Sequence, residues 1–585
     1  MDIYAHQTHH VVANFDDIFA YLETNFTEKT PKGLHLFPEL FLCGYPLRDL
    51  CLQKNFIGAY QTFLRRIDTW SLARPKDKET AILLGGLRYE FEENGLARKI
   101  ENVIYLLRPG HALEYLYTKK LLPNYDIFDE KKYFIPGDKT VVWNFNDKNI
   151  ALTICEDMWA SHIHKEDPIL DVKTHCEKEN IKLDLIVNLS ASPFNIGKEI
   201  RRIQRASEIS HMLKAPFVYI NRVGGEDEIL FDGASFLISG DELESRGKLF
   251  QEDLLHFSNP TYNQEKKIDF PKEIVLDNTW ESLFRPSIEM NQRPAILTPL
   301  SDEDCENMLE ALKFGIREYA EKCGFKNFLV ALSGGIDSAL VLTIVRLALK
   351  EGEGLEAIYM PGFFSATMSY DLSADLCKNL GIKLKNLPIK FFHSAIRNAY
   401  KDNFGKAMEG LTDENIQSRL RGTLLYTRAN DLNAMVLNTS NKSELAVGYS
   451  TQYGDSVGAL SILGDLYKTE VFALANYINK KFPGLITEGI ITRPPTAELR
   501  ENQLDSQSLP PYERLDPILE GLLSYRLSVS EIVALGFAQE EVEKVHRLWR
   551  TTEYKRYQFA PIIKVKSKSF GFGYRVPICK KANIS

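Results

Sequence analysis

The stretch Lys326-Asn-Phe-Leu-Val-Ala-Leu-Ser-Gly-Gly-Ile-Asp-Ser-Ala339 decides how the second half of the chain folds. Residues 328–332 are a short apolar run of the kind that makes a buried strand. Ser333-Gly334-Gly335 is a turn with almost no side-chain bulk, and from Ser338 an apolar helical stretch runs to about residue 349. The glycines let backbone N–H groups approach an anion, and the helix N-terminus behind them adds its positive end. The string predicts a phosphate cradle, and without the Lys-Ser/Thr ending of a Walker loop it is a cradle of another kind. Around it, apolar runs near 328–332 and 356–360 alternate with helical runs near 338–350 and 369–380, a βαβ rhythm that predicts a doubly wound parallel sheet.

Working outward, Ser301 and Asp304 read as a capping box that opens an amphipathic helix over 305–322, stopped at Gly324. Before it, Pro271, Pro286, Pro294 and Pro299 stand among polar residues with little periodicity. The expected division is a first domain over 1–262, a linker over 263–300 and a second domain over 301–585. Short strands near 34–37, 81–84, 103–107, 113–117, 150–154 and 183–189, with tight turns such as Arg108-Pro-Gly-His111, predict a layered α/β sandwich with much antiparallel pairing in the first domain.

The bulk numbers narrow the function. A chain of 585 residues exceeds one core, and 44% hydrophobic with 26% charged residues is ordinary for a globular protein. A net charge of −8 with no basic run argues against nucleic acid as the main partner. No cationic, apolar leader and no membrane-length run are visible, and eight cysteines without metal-like pairing suggest reduced thiols, hence a cytoplasmic setting. His6, His9 and His10 cluster near the start, and without a carboxylate or cysteine partner they read as surface residues.

Three polar residues end first-half strands: Glu39 after Leu34-His-Leu-Phe-Pro38, Lys119 after Tyr117-Thr118, and Cys155 after Ile150-Ala-Leu-Thr-Ile154. A thiol of pKa ~8.5 is only a few per cent ionised at neutral pH. A nearby ammonium lowers that pKa, and a carboxylate can take the proton and later activate water. Singly, each is better read as packing or a solvated face. Together, Phe37-Pro-Glu39-Leu, the run from Lys119-Lys-Leu-Leu-Pro to Glu130 and Ile154-Cys155-Glu-Asp157 resemble the nitrilase family. That resemblance implies an α-β-β-α sandwich and hydrolysis of a C–N bond, with Cys155 as nucleophile, Glu39 as general base and Lys119 stabilising the oxyanion. Lys120 is the rival lysine, but strand alternation turns it to the other face. Asn188-Leu-Ser-Ala-Ser192-Pro-Phe-Asn-Ile-Gly-Lys198 resembles the segment that holds glutamine in nitrilase-type glutaminases, implying Tyr125, Ser192 and Lys198 as glutamine-binding residues. Glu226 stands where that subgroup more often has Gln.

The string 333–338 resembles the loop of ATP pyrophosphatases, which cut ATP between its α and β phosphates. Glu414-Asn415-Ile-Gln417-Ser-Arg419-Leu-Arg421, Leu437-Asn-Thr439-Ser-Asn-Lys442-Ser-Glu444, Gly464-Asp465-Leu-Tyr-Lys468 and Tyr554-Lys555-Arg556-Tyr557 resemble the NAD synthetase family. Gln417 and Arg421 share one helical face, where cations suit phosphates or simple salt bridges equally. The resemblance implies a Rossmann-like second domain in which Ser333, Gly334, Gly335, Ile336, Asp337, Ser338 and Thr439 bind ATP. It further implies that Asn415, Glu444 and Lys555 bind deamido-NAD, that Asp337 and Glu444 hold Mg2+, and that Lys468 meets a phosphate or the acyl-adenylate. Met360-Pro-Gly-Phe-Phe-Ser-Ala-Thr367 lacks an arginine usual in that place. The combined reading is a ligase with glutamine, ATP and deamido-NAD as substrates, ammonia passed along a closed internal path, and a homodimer or higher homo-oligomer. The competing readings are adenylation of another acceptor, as in GMP or asparagine synthesis, and a regulatory binding protein; intact Glu39, Lys119, Cys155 and Asp337 speak against the latter.

Overall fold

In a computed structural model of the chain, the structure describes residues 1–93, 95, 97–159, 166–263, 296–496, 498–501, 503 and 505–580. The chain divides into two compact units, Met1–Glu281 and Ser282–Ser585. Most of the expected linker over 263–300 lies outside the described residues.

The first unit contains β1 (Asp2–Gln7), β2 (Gly33–Leu36), β3 (Thr80–Phe91), β4 (Ala97–Leu107), β5 (Glu114–Thr118), β6 (Val142–Phe145), β7 (Lys148–Ile154), β8 (Leu185–Ser190), β9 (Phe217–Asn221), β10 (Val223–Glu226), β11 (Ile229–Asp232), β12 (Phe236–Ser239), β13 (Glu242–Arg246) and β14 (Asp253–Ser258). They build two six-stranded sheets, β14-β1-β2-β3-β4-β5 and β13-β12-β9-β8-β7-β6, plus the hairpin β10-β11. Pairing is parallel at the centre of each sheet, in β1-β2-β3 and β7-β8-β9, and antiparallel toward the edges.

Period-two alternation puts these strands into four layers. Ile150, Leu152 and Ile154 of β7 and Leu185, Val187 and Leu189 of β8 meet Leu34, Leu36, Ala81 and Leu83 of the other sheet in one apolar core. The intervening Ala151 and Ile186 face the helices Pro168–Glu179 and Lys198–Leu213, packing with Ile169, Val172, Ala206 and Ile209. The first sheet is covered likewise by the helices Phe15–Asn25 and Lys54–Leu72. This is the α-β-β-α sandwich. His6 and His10 depart from the sequence reading: both are buried. His6 stacks on Phe37 at 4.4 Å and bonds Tyr21 and His35, and His10 pairs with Asp17 at 2.7 Å. An acidic partner ten or fewer residues away in a helix is invisible to a search for local ligand spacing. Among the described residues, no group of three or more His, Cys, Asp or Glu side chains is arranged to hold a metal.

The second unit carries one parallel sheet. Its strands β15 (Asn327–Leu332), β16 (Gly354–Tyr359), β17 (Leu384–Asn386), β18 (Ala434–Asn438) and β19 (Leu460–Ser461) lie in the order β17-β16-β15-β18-β19. The order reverses at β15, so the C-terminal ends of β15, β16 and β18 open a crevice at the topological switch point. The helix after β15 starts at Ile336, two residues earlier than its apolar run suggested, so Asp337 and Ser338 sit in its first turn. Ser301 caps Asp302–Lys322 through the reciprocal Ser301–Asp304 bonds of 3.0 and 3.1 Å. No helix among the described residues is long and apolar enough to cross a membrane, and all eight cysteines are free thiols.

One glycine in the first unit positions chemistry. The turn after β2 lies on β3, with Phe37 N donating to Leu83 O and Leu42 N to Gly85 O, both at 3.0 Å. A Cβ on Gly85 would stand 2.5 Å from the Leu40 nitrogen and 2.8 Å from the Glu39 Cα. Gly85→Ala should therefore push the Glu39 turn off β3 and destabilise the first unit, lowering Tm by several degrees relative to wild type, which thermal unfolding followed by circular dichroism checks.

Candidate active sites

In the first unit, the ends of β2, β5 and β7 deliver Glu39, Lys119 and Cys155 to one buried place. Lys119 is wholly buried and donates from Nζ to Glu39 Oε1 at 2.7 Å and to the two oxygens of Glu130 at 2.9 and 2.8 Å. Glu39 also accepts from Asn102 Nδ2 at 2.7 Å and from the Ala191 backbone N–H at 2.9 Å, and Tyr45 OH donates to Glu130 at 3.0 Å. Burial alone would push the Lys119 ammonium down, but Glu130 and Glu39 outweigh it and hold it well above its ordinary value. Burial pushes Glu130 up to about 8, against the pull of Lys119 and helped by Glu39. One ammonium thus faces two carboxylates, one of which keeps a proton readily.

Cys155 follows β7 with φ 42°, a left-handed conformation that costs a non-glycine residue about 1–3 kcal/mol and throws its side chain off the strand direction. Asp157 holds that turn. Its carboxylate accepts from the N–H groups of Ile154, Lys120 and Leu121 at 2.8–3.0 Å and from Tyr117 OH at 2.8 Å, which ties the Cys155 turn to the segment bearing Lys119. Burial, followed by Glu39, raises the Cys155 thiol well above its ordinary value despite Lys119, which favours the protonated sulfur. Lys120 turns away from this centre to pair with Asp171.

Ser192 and Lys198 flank the centre on the segment after β8. Ser192 is buried, and its carbonyl and hydroxyl accept from Arg202 at 3.0 and 3.2 Å, while its N–H donates to Asn221. Arg202 is itself fully buried and paired with Asp232 at 2.8 Å. Tyr125 OH donates to Glu156 at 2.9 Å. Lys198 keeps partial contact with solvent, yet desolvation and then the Arg202 guanidinium push its ammonium down to about 7, opposed by Cys155.

In the second unit, a cleft of about 250 Å3 opens at the switch point. Ser333, Gly335, Ile336, Asp337, Ser338, Thr439 and Glu444 line it. Gly334 supports it from behind: its φ is 79°, and a Cβ there would stand 2.7 Å from the Ser369 carbonyl oxygen. Ser333 Oγ accepts from Gly335 N and lies 3.2 Å from Ser338 Oγ, fixing the loop at the helix N-terminus. Asp337 accepts from Asn441 Nδ2 at 2.9 Å and pairs with the buried Lys468, which lies 3.6 Å from Glu444. Lys468 is therefore held by two carboxylates rather than standing free for a phosphate. Burial, with Asp337, pushes Glu444 up to about 8 against the pull of Lys468. Five carboxylates and three cations line the cleft, a poor receptor for polyphosphate without an added cation. Two carboxylates beside a phosphate cradle are the donor set that Mg2+ takes with substrate phosphates, so Asp337 and Glu444 fit that ion.

Residues 308–559 match the family described as NAD synthase. A glutamine-dependent NAD(+) synthetase of Synechocystis is 36% identical over 550 residues, covering 94% of this chain and 92% of that protein. One from Thermotoga maritima is 34% identical over 572 residues, covering 95% and 94%. The structure of the glutamine-dependent NAD+ synthetase from Acinetobacter baumannii, solved with adenosine diphosphate, aligns at TM-score 0.69 and 30% identity over 100% of this chain and 99% of that one. The chain belongs to the glutamine-dependent NAD(+) synthetases.

Two residues expected at the dinucleotide lie off the cleft lining of this family member. Asn415 accepts from Thr451 Oγ1 at 2.9 Å, and Lys555 donates to the carbonyls of Gly448 and Ser450 at 2.7 and 2.6 Å. Both grip the 448–455 turn, whose Tyr449, Gly454 and Asp455 do line the cleft. Glu226 pairs with Arg222 at 2.9 Å. Gln417 is buried against the Leu499 carbonyl, whereas Arg421 reaches the cleft. The sequence reading assigned no role to Glu130, Asn102, Asp157 or Arg202. Glu130 and Asp157 stand inside strings already singled out, but spacing does not reveal which acidic residues point inward.

The depressed Lys198 ammonium sets a pH dependence. Lys198 is the lysine expected from the sequence to bind glutamine, and its charge is lost as pH rises through about 7; on that expectation kcat/KM for glutamine should fall over the same range. Lys198→Arg should retain the charge and flatten this limb, which a pH series of glutamate release at low glutamine measures.

Proposed function

We propose that this protein makes NAD+ from deamido-NAD, taking nitrogen from glutamine in the first unit and activating the acid with ATP in the second. The observation that carries the reading is the presence, in one family member, of a buried Glu39–Lys119–Cys155 centre and a phosphate cradle that ends in Asp337.

The first unit hydrolyses glutamine. Cys155 Sγ attacks the side-chain carbonyl carbon while Glu39 takes the thiol proton. The tetrahedral oxyanion draws on Lys119, which exchanges one of its two Glu130 contacts for the new negative oxygen. Ammonia leaves with the proton carried by Glu39, and water, deprotonated by the same carboxylate, cleaves the thioester to glutamate. Ser192, Lys198 and Tyr125 orient the amino acid. The Arg202–Asp232 pair fixes the Ser192 carbonyl, and Ala191 N–H ties this segment to Glu39.

In the second unit the deamido-NAD carboxylate attacks the α phosphorus of ATP. The carboxylate becomes an acyl-adenylate and pyrophosphate leaves. The N–H groups around Ser333, Gly334 and Gly335, with Ser338, hold the departing phosphates, and Thr439 lies on the same wall. Asp337 and Glu444 would hold Mg2+, which would supply positive charge to offset the negative charge that grows on the leaving group. Ammonia then attacks the acyl carbon and AMP departs. Glu444 lies on the cleft wall beside the acid, whereas Asn415 and Lys555 act by holding the 448–455 turn. Bulk water would protonate most free ammonia, so direct transfer favours the reaction. A cytoplasmic homo-oligomer completes the reading, by resemblance to the family.

Three measurements test it. Cys155→Ala should abolish NAD+ formation from glutamine and leave formation from ammonium salts unchanged, since the sulfur serves only the release of ammonia; loss of both in folded protein defeats the division of labour. In a single turnover, chromatography should find AMP and pyrophosphate, with ADP absent, and Asp337→Ala should remove Mg2+-dependent turnover with either nitrogen source, by about 100-fold or more.

A further inference from the structure

The three cations on the synthetase cleft are not equivalent. Lys468 is claimed by Asp337 and Glu444, and Arg493 by Glu498 at 2.5 Å and Ser369 Oγ at 2.8 Å. Arg421 makes a single hydrogen bond among the described residues, from Nε to the Met360 carbonyl at 2.9 Å, and pairs with no carboxylate. It projects from the helix Leu411–Leu432, and Met360 directly follows β16, so the guanidinium is pinned by one edge at the strand end that opens the cleft. Desolvation lowers its hold on the proton, and the surrounding carboxylates and Tyr359 only partly oppose this. The side chain is half-buried, and a guanidinium held by one edge on the cleft wall leaves its two amino groups to meet an anionic ligand through two parallel charge-assisted bonds. The adjoining Gly362 leaves room: a Cβ there would approach Arg421 Nη2 at 3.2 Å. The segment 360–367 contains no arginine of its own, so this helix supplies the guanidinium next to it.

We propose that Arg421 is a substrate-binding residue of the synthetase reaction, its two amino groups pairing with an oxyanion of a bound nucleotide. That oxyanion is either a phosphate of ATP or a phosphate or carboxylate of the dinucleotide acid. The inference rests on the cleft being the synthetase site, as proposed above.

The test uses the full-length protein with Arg421→Gln and Arg421→Lys. Mg2+-ATP and deamido-NAD are titrated separately by calorimetry, and both KM values are measured with ammonium as nitrogen donor. Arg421→Gln should weaken at least one of the two ligands about tenfold or more, Arg421→Lys should recover part of the loss, and Tm should stay at the wild-type value in both. A loss confined to ATP assigns the oxyanion to ATP, a loss confined to deamido-NAD assigns it to the dinucleotide, and a loss for both places Arg421 between them. Unchanged binding of both ligands overturns the inference, as does an equal loss in both variants with a lowered Tm, because the arginine then serves only to hold Met360. Wild-type protein that binds neither ligand would defeat the proposed function itself, and this inference with it.

Discussion

Each candidate site is organised by one buried ammonium held between two carboxylates. Lys119 lies between Glu39 and Glu130, and Lys468 between Asp337 and Glu444. An ion taken out of water loses several kcal/mol of hydration, which only close and well-directed partners restore. That requirement fixes the positions of all three side chains in each group within hydrogen-bonding or ion-pairing distance. Both groups also carry one more carboxylate than the ammonium neutralises, and burial pushes the surplus member, Glu130 or Glu444, up to about 8. In the first unit the surplus is buried and bonded by Tyr45. In the second it lies on an open cleft, where a divalent cation brought with a nucleotide can satisfy it.

The supporting contacts convert these charge groups into geometry. Asp157 bonds both the Cys155 turn and the Lys119 segment, so thiol and ammonium share one anchor. Asn102 and Ala191 N–H complete the coordination of Glu39. The Arg202–Asp232 pair braces the Ser192 segment from beneath, with Asn221 bonded to both sides. A reacting group placed on a strand end and locked by a second layer of hydrogen bonds is more exact than one on a free loop. The left-handed Cys155 pays for its exposure to the site with local strain that Asp157 confines.

In the second unit the carboxylates outnumber the cations on the cleft, and among the described residues that line it Arg421 is the guanidinium without an acidic partner. The excess negative charge of such a wall opposes a bare polyphosphate, which is the physical ground for the metal ion in the proposed reaction.

Much of this protein was legible in the sequence because its signals are local. A strand-turn-helix with two glycines reads from consecutive residues, as does the alternation that buries Ile150, Leu152 and Ile154 on one face. The capping box at Ser301 is likewise contained within four residues. The strings around Glu39, Lys119 and Cys155 identified which residue types matter. What the sequence left open was everything set by partners distant along the chain. Glu130 and Asp157 stood inside strings without a role of their own, His6 and His10 read as surface histidines, and the chain groups that hold Lys468 and Lys555 were not visible. Folding claimed each of them: burial forces every charge and ring nitrogen to find a partner, and the partner is chosen by how sheets and helices stack. Arg421 is the converse case, a residue that one helical face cannot distinguish from Gln417. Only the packing of its helix against the end of β16 left that guanidinium on the cleft with no carboxylate among the described residues to answer it.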